Sequence, residues 1–247
     1  MPKAPAIDQQ KLLDLQAVDT RLAQLAHRRA TLPEQKELDA LLAEQRTVGD
    51  TGVAARTVVG DVERLVAKAE ADVQQVRDRV ARNTKRLESG AGSAKDLQGL
   101  QHELESLARR QGVLEDDELE VMERLEQAQA AAAEVAAREA ELAAAVEAVT
   151  ARRDEALTAV ADEERAALAR RQAVAMGIDV PLVQLYEKVR ARTGGVGAAL
   201  LRARRCLGCM FELSSSDVSD LRSTAPEEVV LHEECGRILV RTDESGL

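Results

Sequence analysis

The chain has 247 residues, of which 32% are charged and 1% aromatic, with no Trp, one Tyr (Tyr186) and one Phe (Phe211). So few large rings exclude an ordinary globular core of this length, and the Ala, Leu, Val, Glu and Arg that dominate instead are the residues of long helices and coiled coils. A net charge of −10 and a pI near 5.0 set up a global field that repels nucleic acid, so any such binding has to be local.

The N-terminal MPKAPAIDQQ is polar and carries no apolar signal core. A first helical arm is predicted from Asp8 to Leu87, 80 residues. It is broken once at Thr31-Leu-Pro33, where proline ends one helix and opens the next, and Gly49-Asp-Thr-Gly52 is read as a weaker interruption of a kinked arm. Its apolar residues Val59, Val62, Val66, Ala69, Val73, Val76, Val80 and Leu87 hold a 3-4 spacing, with Asn83 the one polar seam position. Sustained 3-4 spacing is the heptad signature of a coiled coil.

Glu88-Ser-Gly-Ala-Gly-Ser93 then stops the helix, and Ser93 with Asp96 three residues on offers a capping box for a helix running back. That second arm, Lys95 to Val174, is also 80 residues, and Met176-Gly-Ile-Asp-Val-Pro181 ends it. Its seam runs through Leu97, Leu100, Leu104, Leu107, Leu114, Val121, Leu125, Ala128, Ala132, Val135, Leu142, Val146, Val149, Ala156 and Val160, with Gln111, Glu118, Glu139 and Arg153 in phase. Equal arms about a glycine-rich tip predict an antiparallel hairpin roughly 120 Å long at ~1.5 Å per residue, closed within one chain. A monomer is therefore favoured, with a dimer the alternative because alanines thin the seam. The Ala-rich stretch from Gln127 to Val149 is interrupted by Glu134, Arg138, Glu139, Glu141 and Glu147 and cannot span a membrane.

Beyond Pro181 the expected elements are a helix from Leu182 to Arg192 and a strand from about Gly197 to Arg204. A capped helix or loop follows over residues 214–222, then strands at Val229–Leu231 and Ile238–Arg241. Cys206-Leu-Gly-Cys209 and His232-Glu-Glu-Cys235, separated by 22 residues, contain all three cysteines. Two ligand pairs of x₂ spacing are what a tetrahedral Zn²⁺ site needs, each pair on a tight turn. Four protein ligands close the tetrahedron and leave no position for water, so one structural zinc is expected, not a catalytic one. Metal ligation also supplies folding energy to a segment poor in large apolar side chains. The expected organisation is thus mainly α, with a hairpin over residues 1–176 (tip 88–94), then a linker helix and zinc ribbon with short strands over residues 177–247.

These parts resemble a family of bacterial proteins built from a coiled-coil hairpin and a C-terminal zinc ribbon. The segments that carry the resemblance are Ala94-Lys-Asp-Leu-Gln-Gly-Leu-Gln-His-Glu-Leu-Glu-Ser-Leu107, Leu114-Glu-Asp-Asp-Glu-Leu-Glu-Val-Met122, Cys206-Leu-Gly-Cys209 and Cys235-Gly-Arg-Ile-Leu239. The family usually has four cysteines, and here His232 stands where the third is expected. One epsilonproteobacterial member is a flagellar regulator that contacts an alternative sigma factor and a flagellin transcript. This chain offers no flagellar signal, and that role is not carried over.

No Ser-His-Asp set and no Walker or Rossmann glycine pattern is present, so an enzyme is not expected. The acidic run Glu115–Glu118 spreads around a helix, and His27 and His102 read as surface residues. Two surfaces remain as candidates. At the tip, Arg77, Arg79, Arg82, Lys85, Arg86, Lys95, Arg109 and Arg110 face five acids between residues 77 and 110; Arg82, Lys85, Arg86 and Lys95 are the expected contacts for a protein partner. On the ribbon, Arg202, Arg204, Arg205, Arg237 and Arg241 flank the knuckles and suit phosphate. The leading expectation is a cytoplasmic, non-enzymatic adaptor that links a protein of the transcription or RNA-processing machinery to nucleic acid or a second protein. The rivals are direct RNA or DNA binding through the ribbon arginines, and a chaperone-like accessory subunit.

Overall fold

A computed structural model describes residues 3–247. The elements follow in the order α1 (Ala6–Ala30), α2 (Pro33–Glu88), α3 (Ala94–Met176), α4 (Val180–Arg192), β1 (Ala198–Arg202), β2 (Arg205–Cys206), α5 (Ser215–Ser223), β3 (Val230–Leu231) and β4 (Ile238–Val240). A 3₁₀ turn at Asp243–Ser245 ends the chain. Long helices form a hairpin, followed by a small strand-containing ribbon. Compactness divides the chain differently from the expected segments 1–176 and 177–247: Met1–Gln35 joins Ala151–Leu247 in one unit, and Lys36–Thr150 forms the other.

In the Lys36–Thr150 unit every apolar seam residue expected from the heptads is buried or half-buried, and Val62, Val73, Leu100, Leu114, Leu142 and Val149 are fully so. With Val59 and Leu97 at heptad position a, Arg77 and Glu115 both fall at e, while Arg79 and Glu103, and Glu44 and Arg138, fall at g. In an antiparallel pair like positions face each other, and these residues do pair: Arg77 Nη2–Glu115 Oε1 at 2.7 Å, Arg79 Nε–Glu103 Oε1 at 2.9 Å and Arg138 Nη2–Glu44 Oε1 at 2.6 Å. Exposed pairs contribute only ~0.2–1 kcal/mol each, so they set register more than stability. The tip turn is as expected. Gly90 and Gly92 take positive φ (63° and 137°), and Ser93 and Asp96 exchange capping hydrogen bonds at 3.0 and 3.3 Å.

One expectation is corrected. α2 runs unbroken through Gly49-Asp-Thr-Gly52. Gly52 lies at a buried seam position directly under Glu139, whose carboxylate fills the place a Cβ would take. The missing side chain makes room for an acidic residue in the seam, with Arg56 Nη1 3.3 Å from Glu139 Oε2. The glycine therefore serves interhelical packing and does not end the helix. The break at Thr31–Leu32 is present, with proline opening α2 as expected. Asn83 is buried in the seam, its amide nitrogen without a hydrogen-bond partner among the described residues.

In the other unit, α1, α4 and the sheet share one core of Ala4, Leu12, Leu15, Ile178, Leu182, Tyr186, Val189, Ala198, Val229, Ile238 and Val240. The four-stranded sheet has the order β2-β1-β4-β3, with β1 parallel to β4 and the other neighbours antiparallel. A second, smaller core under α5 holds Ala199, Leu201, Cys206, Leu213, Val218, Leu221 and Leu239. α5 begins with a capping box in which Ser214 and Asp217 bond each other's backbone N–H groups at 3.1 and 3.0 Å.

Gly197 sits where β1 enters, against Tyr186. A Cβ there would lie 2.7 Å from Tyr186 Cε2 and 2.9 Å from its carbonyl oxygen. The ring is fully buried and the carbonyl belongs to α4, so neither yields readily. Gly197→Ala is expected to cost about 3 kcal/mol in chemical denaturation. Wild-type stability in this variant would show that the α4–β1 contact is loose.

Candidate metal centre

Each ligand pair sits on a turn closed by a backbone bond. In the first knuckle the Met210 N–H donates to the Cys206 carbonyl at 2.8 Å, and Cys206 N–H donates to Phe211 O at 3.0 Å. In the second, Gly236 N–H donates to His232 O at 2.7 Å and His232 N–H to Arg237 O at 2.8 Å. Both turns finish in the left-handed region, Gly236 at φ 67° and Met210, without the glycine's freedom, at φ 64°. Gly208 leaves no room for a side chain: a Cβ would meet Arg237 Cδ at 2.7 Å and Ala199 Cβ at 2.8 Å.

The turns bring together the four residues that the spacing singled out. One ligand atom each from Cys206, Cys209, His232 and Cys235 lies within 4.8 Å of all the others. His232 Nδ1 stands 3.1 Å from Cys235 Sγ and 3.5 Å from Cys209 Sγ. Zn–S bonds of ~2.3 Å and Zn–N of ~2.05 Å in a tetrahedron place nitrogen about 3.6 Å from sulfur. The cluster thus has the size and donor chemistry of one structural zinc. Cys206 and His232 are buried, Cys209 and Cys235 half-buried, and all three cysteines are free of disulfides. Burial pushes the Cys206 thiol up. Burial also raises Cys235, but hydrogen bonds from the Arg237 backbone and side chain and from His232 outweigh it and hold that thiol below its ordinary value. Among the described residues no other group of His, Cys, Asp or Glu is placed to hold a metal ion.

Comparisons with known proteins give the same parts. A model of the CT398-like coiled-coil hairpin domain matches residues 15–194, and one of the C4-type zinc ribbon domain matches residues 205–239. The chain belongs to the CT398-like coiled-coil hairpin family. It is 37% identical over 242 residues to Rv2229c of Mycobacterium tuberculosis, covering 98% of each chain. A solved Mycobacterium smegmatis structure is 40% identical, with a TM-score of 0.84 over 97% of this chain and 100% of that one. CT398 of Chlamydia trachomatis shares the fold, with a TM-score of 0.63 at 17% identity over 94% of this chain and 96% of its own. The ribbon differs from the C4 pattern in one ligand, His232, which replaces a thiolate by a neutral imidazole.

The other expected site residues fall into two groups. The ribbon arginines have internal partners. Arg241 donates to the carbonyls of Thr224, Ala225 and Glu228 at 2.8–2.9 Å, and to Pro226 at 3.2 Å. Arg237 donates to Thr193 O at 3.2 Å, Arg204 to Gly246 O at 3.1 Å, and Arg202 pairs with Glu244 at 3.0 Å. Arg205 lies 4.0 Å from Glu212. At the tip, Arg82, Lys85, Arg86 and Lys95 are all exposed and none has an ion pair among the described residues. His27 and His102 are exposed, and Glu115 is tied to Arg77 and Gln111.

Sequence reasoning did not find a buried polar group that joins α1, α3 and α4. The Asp19 side chain is fully buried, with Arg171 Nε 2.6 Å from Oδ1 and Arg190 Nε 3.3 Å from Oδ2. The Tyr186 hydroxyl donates to Oδ2 at 2.7 Å. Burial, reinforced by Asp19, raises the pKa of that hydroxyl far above its ordinary value, so it stays a neutral donor. Gln16 accepts from the Gly197 N–H at 2.7 Å and donates to Gly195 O at 3.1 Å, which ties the network to the start of β1.

Proposed function

We propose that this protein is a non-enzymatic, cytoplasmic zinc-containing adaptor whose hairpin tip grips an acidic protein surface. The observation that carries this reading is the state of the tip cations. Arg82 falls at heptad position c, and Lys85, Lys95 and Arg109 at f. From these outward positions no partner helix of the hairpin can neutralise them. They carry no ion pair among the described residues, whereas Arg77 and Arg79 at flanking positions are paired. Cations left unpaired and outward supply complementarity and faster encounter with an acidic partner. Direct nucleic-acid binding through the ribbon has less support, because Arg237 and Arg241 are committed to backbone carbonyls and Arg202 to Glu244. A zinc with four protein ligands leaves no position for a substrate, which favours a structural role for the ribbon.

Combining Arg82→Glu, Lys85→Glu and Arg86→Glu is expected to lower capture of the principal partner at least tenfold, with helicity and zinc content unchanged. Quantitative affinity capture from the native host, scored against wild type, makes the measurement. An identical set of captured proteins would contradict the reading. Loss of RNA alone from the capture would move the reading to nucleic acid.

A further inference from the structure

The histidine that replaces a C4 cysteine brings something a thiolate cannot, a second ring nitrogen. His232 is 6% exposed, and its Nδ1 faces Cys209 and Cys235. Its Nε2–H has no acceptor among the described protein groups. Metal-bound histidines almost always donate that proton to a carboxylate, a carbonyl or water. The ring lines a hollow of about 200 Å³ between α5 and β3. The floor is apolar, formed by Leu213, Leu221, Leu231 and Leu239, and the rim carries Asp217, Asp220, Glu228 and Glu233. Asp217 is used in the α5 capping box. The carboxylates of Asp220 and Glu233 have no ion pair among the described residues, whereas Glu228 already feels the charge of Arg241, which also donates to its backbone carbonyl.

We infer that this hollow binds a short extended segment of a partner protein in which arginine or lysine is flanked by aliphatic residues. A main-chain carbonyl of that segment accepts from His232 Nε2–H. An anionic acceptor is excluded there by the acidic rim. The aliphatic stem of the basic side chain lies on the leucine floor, and its cationic head reaches Asp220 and Glu233. The short edge strand β3 beside the hollow favours an extended segment over a helix. This assignment rests on ribbon residues alone and does not depend on the role of the tip.

The test is calorimetric titration of the intact zinc-loaded protein with the acetylated, amidated pentapeptide Gly-Leu-Arg-Leu-Gly. The glutamate analogue and spermidine are the controls. The arginine peptide is expected to saturate, the glutamate analogue to show no binding, and spermidine not to compete. His232→Cys restores the C4 ligand set, so it is expected to keep its zinc yet bind the arginine peptide about tenfold more weakly. Asp220→Asn with Glu233→Gln is expected to weaken binding at least as much. The tip triple variant should bind the peptide as wild type does, which separates this proposal from the adaptor reading. The inference is overturned if the arginine peptide fails to saturate, if both peptides bind alike, if spermidine displaces the peptide, or if zinc-loaded His232→Cys binds it unchanged.

Discussion

Cys206→Ser combined with Cys235→Ser is expected to take the zinc content from one ion per chain to near zero and to unfold the ribbon locally. Structural zinc contributes roughly 10–16 kcal/mol in small isolated domains, and without it the knuckles lose the interaction that closes them. The core under α5 rests on five aliphatic residues, one alanine and Cys206 itself, too little apolar burial to hold the knuckles and α5 alone. Hydrogen exchange should therefore show the knuckles and α5, residues 205–223 and 232–237, unprotected, while β4, whose Ile238 and Val240 share the core of α1 and α4, keeps part of its protection. The helices of Lys36–Thr150 should keep wild-type protection, because their stability comes from the heptad seam. Protection in α4 should fall only in part, since α4 shares its core with α1 as well as with the sheet. Retention of metal by the double variant would show that the ion is held elsewhere. Loss of protection throughout the hairpin would show that metal and seam stabilise one cooperative unit.

The second large effect is expected at Asp19. Asp19→Ala removes the buried carboxylate that two guanidinium groups and a phenol face. Breaking such a group from one side costs ~3–5 kcal/mol, because the remaining charges stay uncompensated. Arg171 keeps Glu187 and Arg190 lies 3.4 Å from it, so the lower part of that range is expected. Chemical denaturation measures the cost, and hydrogen exchange should place it in α1 and α4. A change under about 1 kcal/mol would mean that water already solvates both arginines.

The hairpin was legible because a seam is local information: each residue from Val59 to Leu87 and from Leu97 to Val160 declares its face by spacing alone. The zinc ligands were legible for a similar reason, since x₂ pairs leave few alternatives. The buried group at Asp19 was not. Asp19 lies over 150 residues from Arg171, Tyr186 and Arg190, and each charged member alone looks like an ordinary helix residue. The one clue was Tyr186, the sole tyrosine, whose hydroxyl needs a partner once buried. Arg241 was read as a surface cation because its carbonyl partners, Thr224 to Glu228, belong to a loop whose path the sequence does not specify. Gly52 was read as a helix interruption because its reason for being glycine, the Glu139 side chain, lies on the other arm.

X-ray absorption at the zinc edge of the purified protein tests the closed three-sulfur, one-nitrogen centre most directly. The expected spectrum fits three Zn–S bonds at ~2.3 Å and one Zn–N at ~2.05 Å, with imidazole scattering beyond the first shell. A first shell of three sulfurs and a water oxygen, without imidazole scattering, would contradict it and make the centre an open site.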